Sequence, residues 1–128
     1  MAKGIEIREA HFPGRAQIDA YGNGGFRFAD MSHRGSILCL PSGIHGWDLS
    51  EGEPLTVSSL YKVLDEASGI EVLLIGTGQN LKPIPAEVKA ALKAKSISSG
   101  PMSTGAAVRT YNIMLAESRA VAVALIAV

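Results

Sequence analysis

Val72-Leu73-Leu74-Ile75-Gly76-Thr77-Gly78-Gln79 is the stretch that decides the fold class. Its first four residues are apolar without interruption, as expected of a strand covered on both faces, and the glycines that follow turn the chain out of the sheet. Upstream, Val57, Leu60, Tyr61 and Leu64 fall on one helical face, with Thr56 placed as N-cap and Gly69 as stop. Downstream, Pro85 and Glu87 open a second helix that carries Val88, Ala91 and Leu92 on one side. A short strand is expected near residues 96–99. Ser103 or Thr104 then caps a third helix whose Ala107, Tyr111, Met114 and Leu115 share a face, and residues 121–128 close as a strand. From residue 55 onward the order is helix, strand, helix, strand, helix, strand, which predicts parallel pairing through right-handed crossovers.

Before residue 55 the period changes to two. Ile5 and Ile7 alternate with Glu6 and Arg8, Ile18 and Ala20 with Gln17 and Asp19, and Phe26 and Phe28 flank Arg27. Such alternation belongs to antiparallel strands with one wet face. Tyr21-Gly22-Asn23-Gly24-Gly25 is a hairpin signal, because Asn-Gly accepts positive φ. Ile37-Leu38-Cys39-Leu40 reads as a strand ended by Pro41-Ser42-Gly43, with another expected between Ile44 and Leu49. The fold class expected is α/β, a single three-layer β/β/α domain over residues 1–128. It has a mixed sheet, with N-terminal antiparallel strands followed by αβαβαβ. The helices are expected on one face of that sheet and the antiparallel strands on the other. The apolar run 120–128 is too short for a bilayer-spanning helix, which needs about 20 residues. An exposed strand this apolar invites aggregation, so its expected place is the middle of the sheet.

Composition removes several function classes. Twelve basic and twelve acidic residues cancel in a chain of 128, and a pI of 6.8 gives no general attraction to nucleic acid or anionic lipid. Aromatic residues make up 5%, too few for a base-stacking platform. Lys82, Lys89, Lys93 and Lys95 read as the solvated face of the second helix. One cysteine permits neither an internal disulfide nor a zinc cluster and points to a reducing, cytoplasmic setting. The opening MAKGIEIREAHFPG has no apolar signal core and no arginine-rich presequence.

Two polar segments carry the candidate site. Gly76, Thr77, Gly78 and Gln79 follow the buried strand, and Gly100-Pro101-Met102-Ser103-Thr104-Gly105 holds the equivalent place after the next one. If the two strands are parallel neighbours, both loops meet at one sheet edge. Backbone amides, the hydroxyls of Thr77, Ser103 and Thr104, and the planar guanidinium of Arg109 would then surround an anionic ligand. Neither segment is a Gly-x-Gly-x-x-Gly or phosphate-loop motif. A plain turn, a helix cap and a solvated arginine account for the same residues, and both readings stand. Arg109 and Asn112 form the nearest polar pair on that helix. No catalytic residue, metal or cofactor is expected. Cys39 sits in an apolar run as an inert thiol, His11, His33 and His45 lack metal-ligand spacing, and Asp19, Asp48, Glu51 and Glu53 form no recognisable acid–base pair. Trp47 reads as a core anchor between layers or, alternatively, as an interface residue.

Four segments in order carry a family resemblance: Tyr21-Gly22-x-Gly24-Gly25-Phe26-Arg27, Leu40-Pro41-x-x-Ile44-x-x-Trp47, Leu74-Ile75-Gly76-Thr77-Gly78 and Arg109-Thr110-Tyr111-Asn112. The ending Glu117-x-Arg119-x-Val121-Ala122-x-Ala124-Leu125-Ile126 adds to them. The chain resembles the small family that includes mitochondrial complex I assembly factor 3 and the adipogenesis-associated domain proteins, from about Ile5 to Ile126. The resemblance implies a β/β/α fold and no established catalytic residues. It also implies a non-enzymatic protein-binding role, with respiratory-complex subunits or another protein as partner. Lacking the presequence of the mitochondrial members, the chain is expected to be a bacterial or cytosolic one, monomeric or weakly dimeric. The alternative expectation is a small anionic-ligand binder or enzyme using the cleft at residues 76–79 and 100–104.

Overall fold

The computed structural model describes residues 12–128; the alternation at Ile5 and Ile7 and the histidine His11 lie outside the described residues. In chain order the elements are β1 (Phe12–Pro13), β2 (Ala20–Gly22), β3 (Gly25–Phe28), β4 (Met31–Arg34), β5 (Ser36–Leu40) and β6 (Gly43–Trp47). A 3₁₀ turn over Ser58–Leu60 then runs into α1 (Tyr61–Asp65). The rest is β7 (Val72–Gly76), α2 (Ala86–Ala94), β8 (Ser98–Met102), α3 (Thr104–Ala116) and β9 (Val121–Leu125). Six strands form a mixed sheet in the order β1-β6-β5-β9-β7-β8, and β2-β3-β4 form a separate antiparallel meander. The α/β class and the mixed sheet agree with the sequence reading.

Local chemistry explains the elements. The β2–β3 hairpin turns on Asn23 and Gly24, both at positive φ (53° and 79°), the geometry that matches strand twist. β5 and β9 are buried at every residue, because each lies between covered faces. Ile37, Cys39, Val123 and Leu125 face one cluster, while Leu38, Leu40, Ala122 and Ala124 face the other. Each fully buried Val or Leu contributes roughly 1.5–3 kcal/mol, which sets β9 in the centre of the sheet. Trp47 is a core residue, with its indole N–H donating to the Ser59 carbonyl at 2.8 Å.

The distribution of helices corrects the expectation that all of them share one face. α1 and α2 cover the cluster containing Leu60, Val63, Val88 and Leu92. α3, through Ala107, Val108 and Tyr111, packs with Phe26 and Phe28 of the small sheet on the opposite face. The cause is strand order at constant crossover hand. The chain steps outward from β7 to β8 by way of α2, then back past β7 to β9 by way of α3. Reversing direction at constant hand moves the crossover to the other face.

Three local expectations also shift. The segment 100–102 is strand, not loop: the parallel ladder with β7 continues to the Gly76–Met102 pair. Pro101 fits there because Ser98 donates and Met102 accepts inward, to Glu71 and Thr77, so the intervening Pro101 presents its missing N–H to the outer edge. Tyr61 leaves the buried face and is 57% exposed, while Leu60 and Val63 are buried. A 3₁₀ turn precedes α1 and rotates the register of that face. Ala20 is exposed although Ile18 is buried; β2 begins at Ala20, so the two residues are not on one regular strand.

Candidate functional site

The carboxyl ends of β7 and β8 lie side by side, and their chains leave toward opposite faces, β7 to α2 and β8 to α3. Divergence of this kind opens the crevice in which α/β sheets hold ligands. Gly76 closes β7 where a Cβ would come 3.0 Å from both the Leu125 side chain and the Thr104 Cα. Any side chain there would have to push the strand end away from α3 by a few tenths of an ångström.

Thr104 pins the crevice from below. Its side chain is fully buried. The hydroxyl donates to the Ile126 carbonyl at 2.7 Å and accepts from the Gly78 N–H at 3.1 Å, while its own N–H donates to the Gly78 carbonyl at 2.8 Å. One residue thus ties the ends of β7 and β9 to the start of α3. Thr77 does similar work in the loop. Its hydroxyl donates to the Asn80 carbonyl at 2.7 Å and accepts from the Lys82 N–H at 3.0 Å. Ser103 is the N-cap of α3, its hydroxyl accepting from the Ala106 N–H. Between Thr104 and Ser103, the cap is Ser103.

The loop amides are already committed. The Thr77 N–H donates to Met102, and the Gly78 N–H to Thr104. The Gln79 N–H donates at 2.8 Å to a Glu51 carboxylate oxygen. Gly78 has φ of +112°, and a Cβ there would collide with the same carboxylate. The loop therefore meets a negative group as its composition suggested, but that group belongs to the chain itself.

Above this floor is an open cavity of about 310 Å³ walled by Tyr21, Gly78, Gln79, Ser103, Gly105 and Arg109. Of the sequence-expected residues, Gly78, Gln79, Ser103 and Arg109 share it, whereas Gly76, Thr77 and Thr104 are buried beneath and hold the wall in place. Arg109 is exposed, with no ion pair among the described residues. Its helix neighbour Asn112 points elsewhere, clasping the Ile18 backbone through its oxygen (2.9 Å) and its amide nitrogen (2.8 Å). Tyr21 walls the cavity and Glu51 braces the Gln79 amide beneath it, and the sequence reading placed neither at this crevice. Tyr21 packs its hydroxyl against Gly105, where a Cβ would strike it; its place beside a hairpin gave no hint of that helix.

Away from this crevice, Cys39 and Tyr111 are titratable groups held in the core. Burial pushes the Cys39 thiol well above its ordinary range, partly offset by its hydrogen bond with Tyr111. Burial likewise raises Tyr111, with Cys39 as the next cause. A thiol held neutral this way is no nucleophile. His45 shares a 2.8 Å hydrogen bond with Ser42. Among the described residues no three metal-ligating side chains gather, and no helix is long and apolar enough to cross a membrane.

Comparison with known proteins agrees with the resemblance read from the sequence. The chain is 34% identical over 119 residues to an uncharacterised protein of Rhodobacter capsulatus, covering 93% of this chain and 90% of that one. It is 27% identical over 124 residues to the mouse NADH dehydrogenase [ubiquinone] 1 alpha subcomplex assembly factor 3, covering 95% of this chain and 66% of the mouse protein. A crystal structure described as an outer membrane protein of Bartonella henselae superposes with a TM-score of 0.88 at 62% identity, over 91% of this chain and 98% of that one. Residues 18–126 match a family described as protein of unknown function (DUF498/DUF598). With β2 through β9 inside that match, the chain is a member of the DUF498/DUF598 family.

Proposed function

We propose that this protein is a non-enzymatic protein-binding module of the assembly-factor kind, acting on subunits of a respiratory complex. The observation that carries the reading is its kinship, over 95% of its length, with a protein named as an assembly factor for NADH dehydrogenase. The site geometry supports it. Arg109 and Tyr21, both residue types that dominate interface energies, stand exposed at the rim of the cavity, while the amides below them are committed internally. A cytoplasmic setting goes with this reading, since Cys39 is a free buried thiol. So does a bacterial origin, given the near full-length match to the Rhodobacter protein. A monomer or weak dimer fits the outer strands of the large sheet, which carry Pro13 and Pro101.

The test is a crosslinked pull-down of the tagged protein from its own host, wild type against Arg109→Ala. Recovery of respiratory-complex subunits, at least several-fold reduced by the substitution, is the expected result. Recovery of background proteins alone overturns the reading. A second reading, a small anionic ligand in the same cavity, is favoured by the unpaired Arg109 beside the Ser103 hydroxyl. Amide titration with nucleotides and organic acids distinguishes it. Saturable shifts clustered at Gly78, Gln79, Ser103 and Arg109 would favour the ligand, and flat titrations would remove it for the compounds used.

A further inference from the structure

The small sheet has two faces of opposite character. Phe26 and Phe28 are buried against α3. Because side chains alternate along a strand, Gly25 and Arg27 of β3 look the other way, with Ser32 and Arg34 on β4 and Ala20 and Gly22 on β2. The register puts Arg27 between Ala20 and Ser32, and Gly25 between Gly22 and Arg34. This outer face is therefore a floor of small residues carrying two exposed arginines, and it bounds an open cavity of about 450 Å³.

Neither arginine has an ion pair or a side-chain hydrogen bond among the described residues. Two like charges at diagonal cross-strand positions, about 7–8 Å apart, add nothing to the stability of the meander. Gly25 must be glycine, because a Cβ would strike the His33 carbonyl, and the backbone is left bare between the two guanidinium groups. An extended chain places alternate side chains on one side about 6.6 Å apart, from a rise of roughly 3.3 Å per residue. Carboxylates at positions i and i+2 of such a chain match the arginine spacing, and each guanidinium can fork to one carboxylate.

We infer that the outer face of β2–β4 docks an acidic, extended segment of a partner protein, read as carboxylate-x-carboxylate across Arg27 and Arg34. The inference rests on the protein-binding reading above and names the partner chemistry on a surface that meets the Arg109 cavity at Tyr21. Charge complementarity commits the occupant. Both arginines lie on an open surface, where a free phosphate keeps most of its hydration, whereas a segment also covers the bare floor.

The test is an amide-shift titration of the full chain with an unstructured peptide presenting Glu-x-Glu, its Gln-x-Gln counterpart, and inorganic phosphate. The acidic peptide is expected to give saturable shifts confined to residues 20–34. Affinity should fall at least tenfold in Arg27→Ala or Arg34→Ala and disappear in 0.5 M salt (roughly, since the Debye length is then only about 4 Å). The Gln peptide should give none. The inference is overturned if the acidic peptide shifts no amide of the small sheet, if the double variant binds it equally well, or if phosphate alone binds as tightly. Repeating the pull-down with Arg27→Ala/Arg34→Ala separates the two levels. A partner still recovered at wild-type yield refutes this face alone, whereas no partner with the wild type refutes the protein-binding reading itself.

Discussion

Replacing Thr104 by Val is the sharpest probe of how the site is held. The substitution keeps the β-branched shape and removes one hydroxyl, which bridges the Ile126 carbonyl and the Gly78 N–H in a fully buried position. Both backbone groups then lose a partner where water does not replace it. An orphaned buried donor or acceptor costs about 1–3 kcal/mol, so the pair should cost about 2–6 kcal/mol of a total stability of roughly 5–15 kcal/mol. With a urea slope of about 2 kcal/mol per molar, the unfolding midpoint should fall by about 1–3 M, followed by far-ultraviolet circular dichroism and Trp47 fluorescence. Thr110→Val is the control, because its hydroxyl bonds only the Ala106 carbonyl within the same helix. Equal losses for the two variants would refute the claim that Thr104 joins β7, β9 and α3.

Two further outcomes follow from the core and the loop. Cys39 and Tyr111 hold their protons far above their ordinary values of 9.0 and 10.0 when folded. The unfolded chain therefore binds fewer protons than the folded one above about pH 9, and stability falls as pH rises, by up to about 1.4 kcal/mol per pH unit for each group. Cys39→Ala should flatten that alkaline limb in urea titrations at pH 8 to 10.5, and an unchanged limb would refute the assignment. Gly78→Ala should destabilise by about 1–3 kcal/mol, since it strains a left-handed position and displaces the Glu51 carboxylate. Loss of the Gln79 amide shift characteristic of that hydrogen bond would report the displacement, and its persistence would contradict it.

What was legible in the sequence was local. Val72 to Ile75 and Val121 to Leu125 announced buried strands because their apolar runs need two covered faces, and the Asn23-Gly24 turn announced its hairpin through backbone sterics alone. Fold class followed from the order of these signals. The side of the sheet taken by α3 did not, because it depends on β9 inserting between β5 and β7, a pairing between residues far apart in the chain. The same distance hid Glu51, which reaches Gln79 across 28 positions, and Tyr21, which meets α3 at Gly105. Arg109 was placed beside the crevice by its position on its own helix, while the partner of its helix neighbour Asn112, the Ile18 backbone 94 positions away, could not be read from spacing.

The central position of β9 has a consequence for how the molecule comes into being. Until residues 121–125 are in place, β1-β6-β5 and β7-β8 are two separate half-sheets, each with an open apolar edge where β9 will sit. A ribosome adding about 5–20 residues per second leaves the β7 edge unpaired for roughly two to ten seconds while the stretch to β9 is made, and the β5 edge for longer still. Closure then waits on contacts distant in sequence, which slows folding relative to a locally wired chain. Nascent chains stalled before β9 should be the ones that chaperones retain.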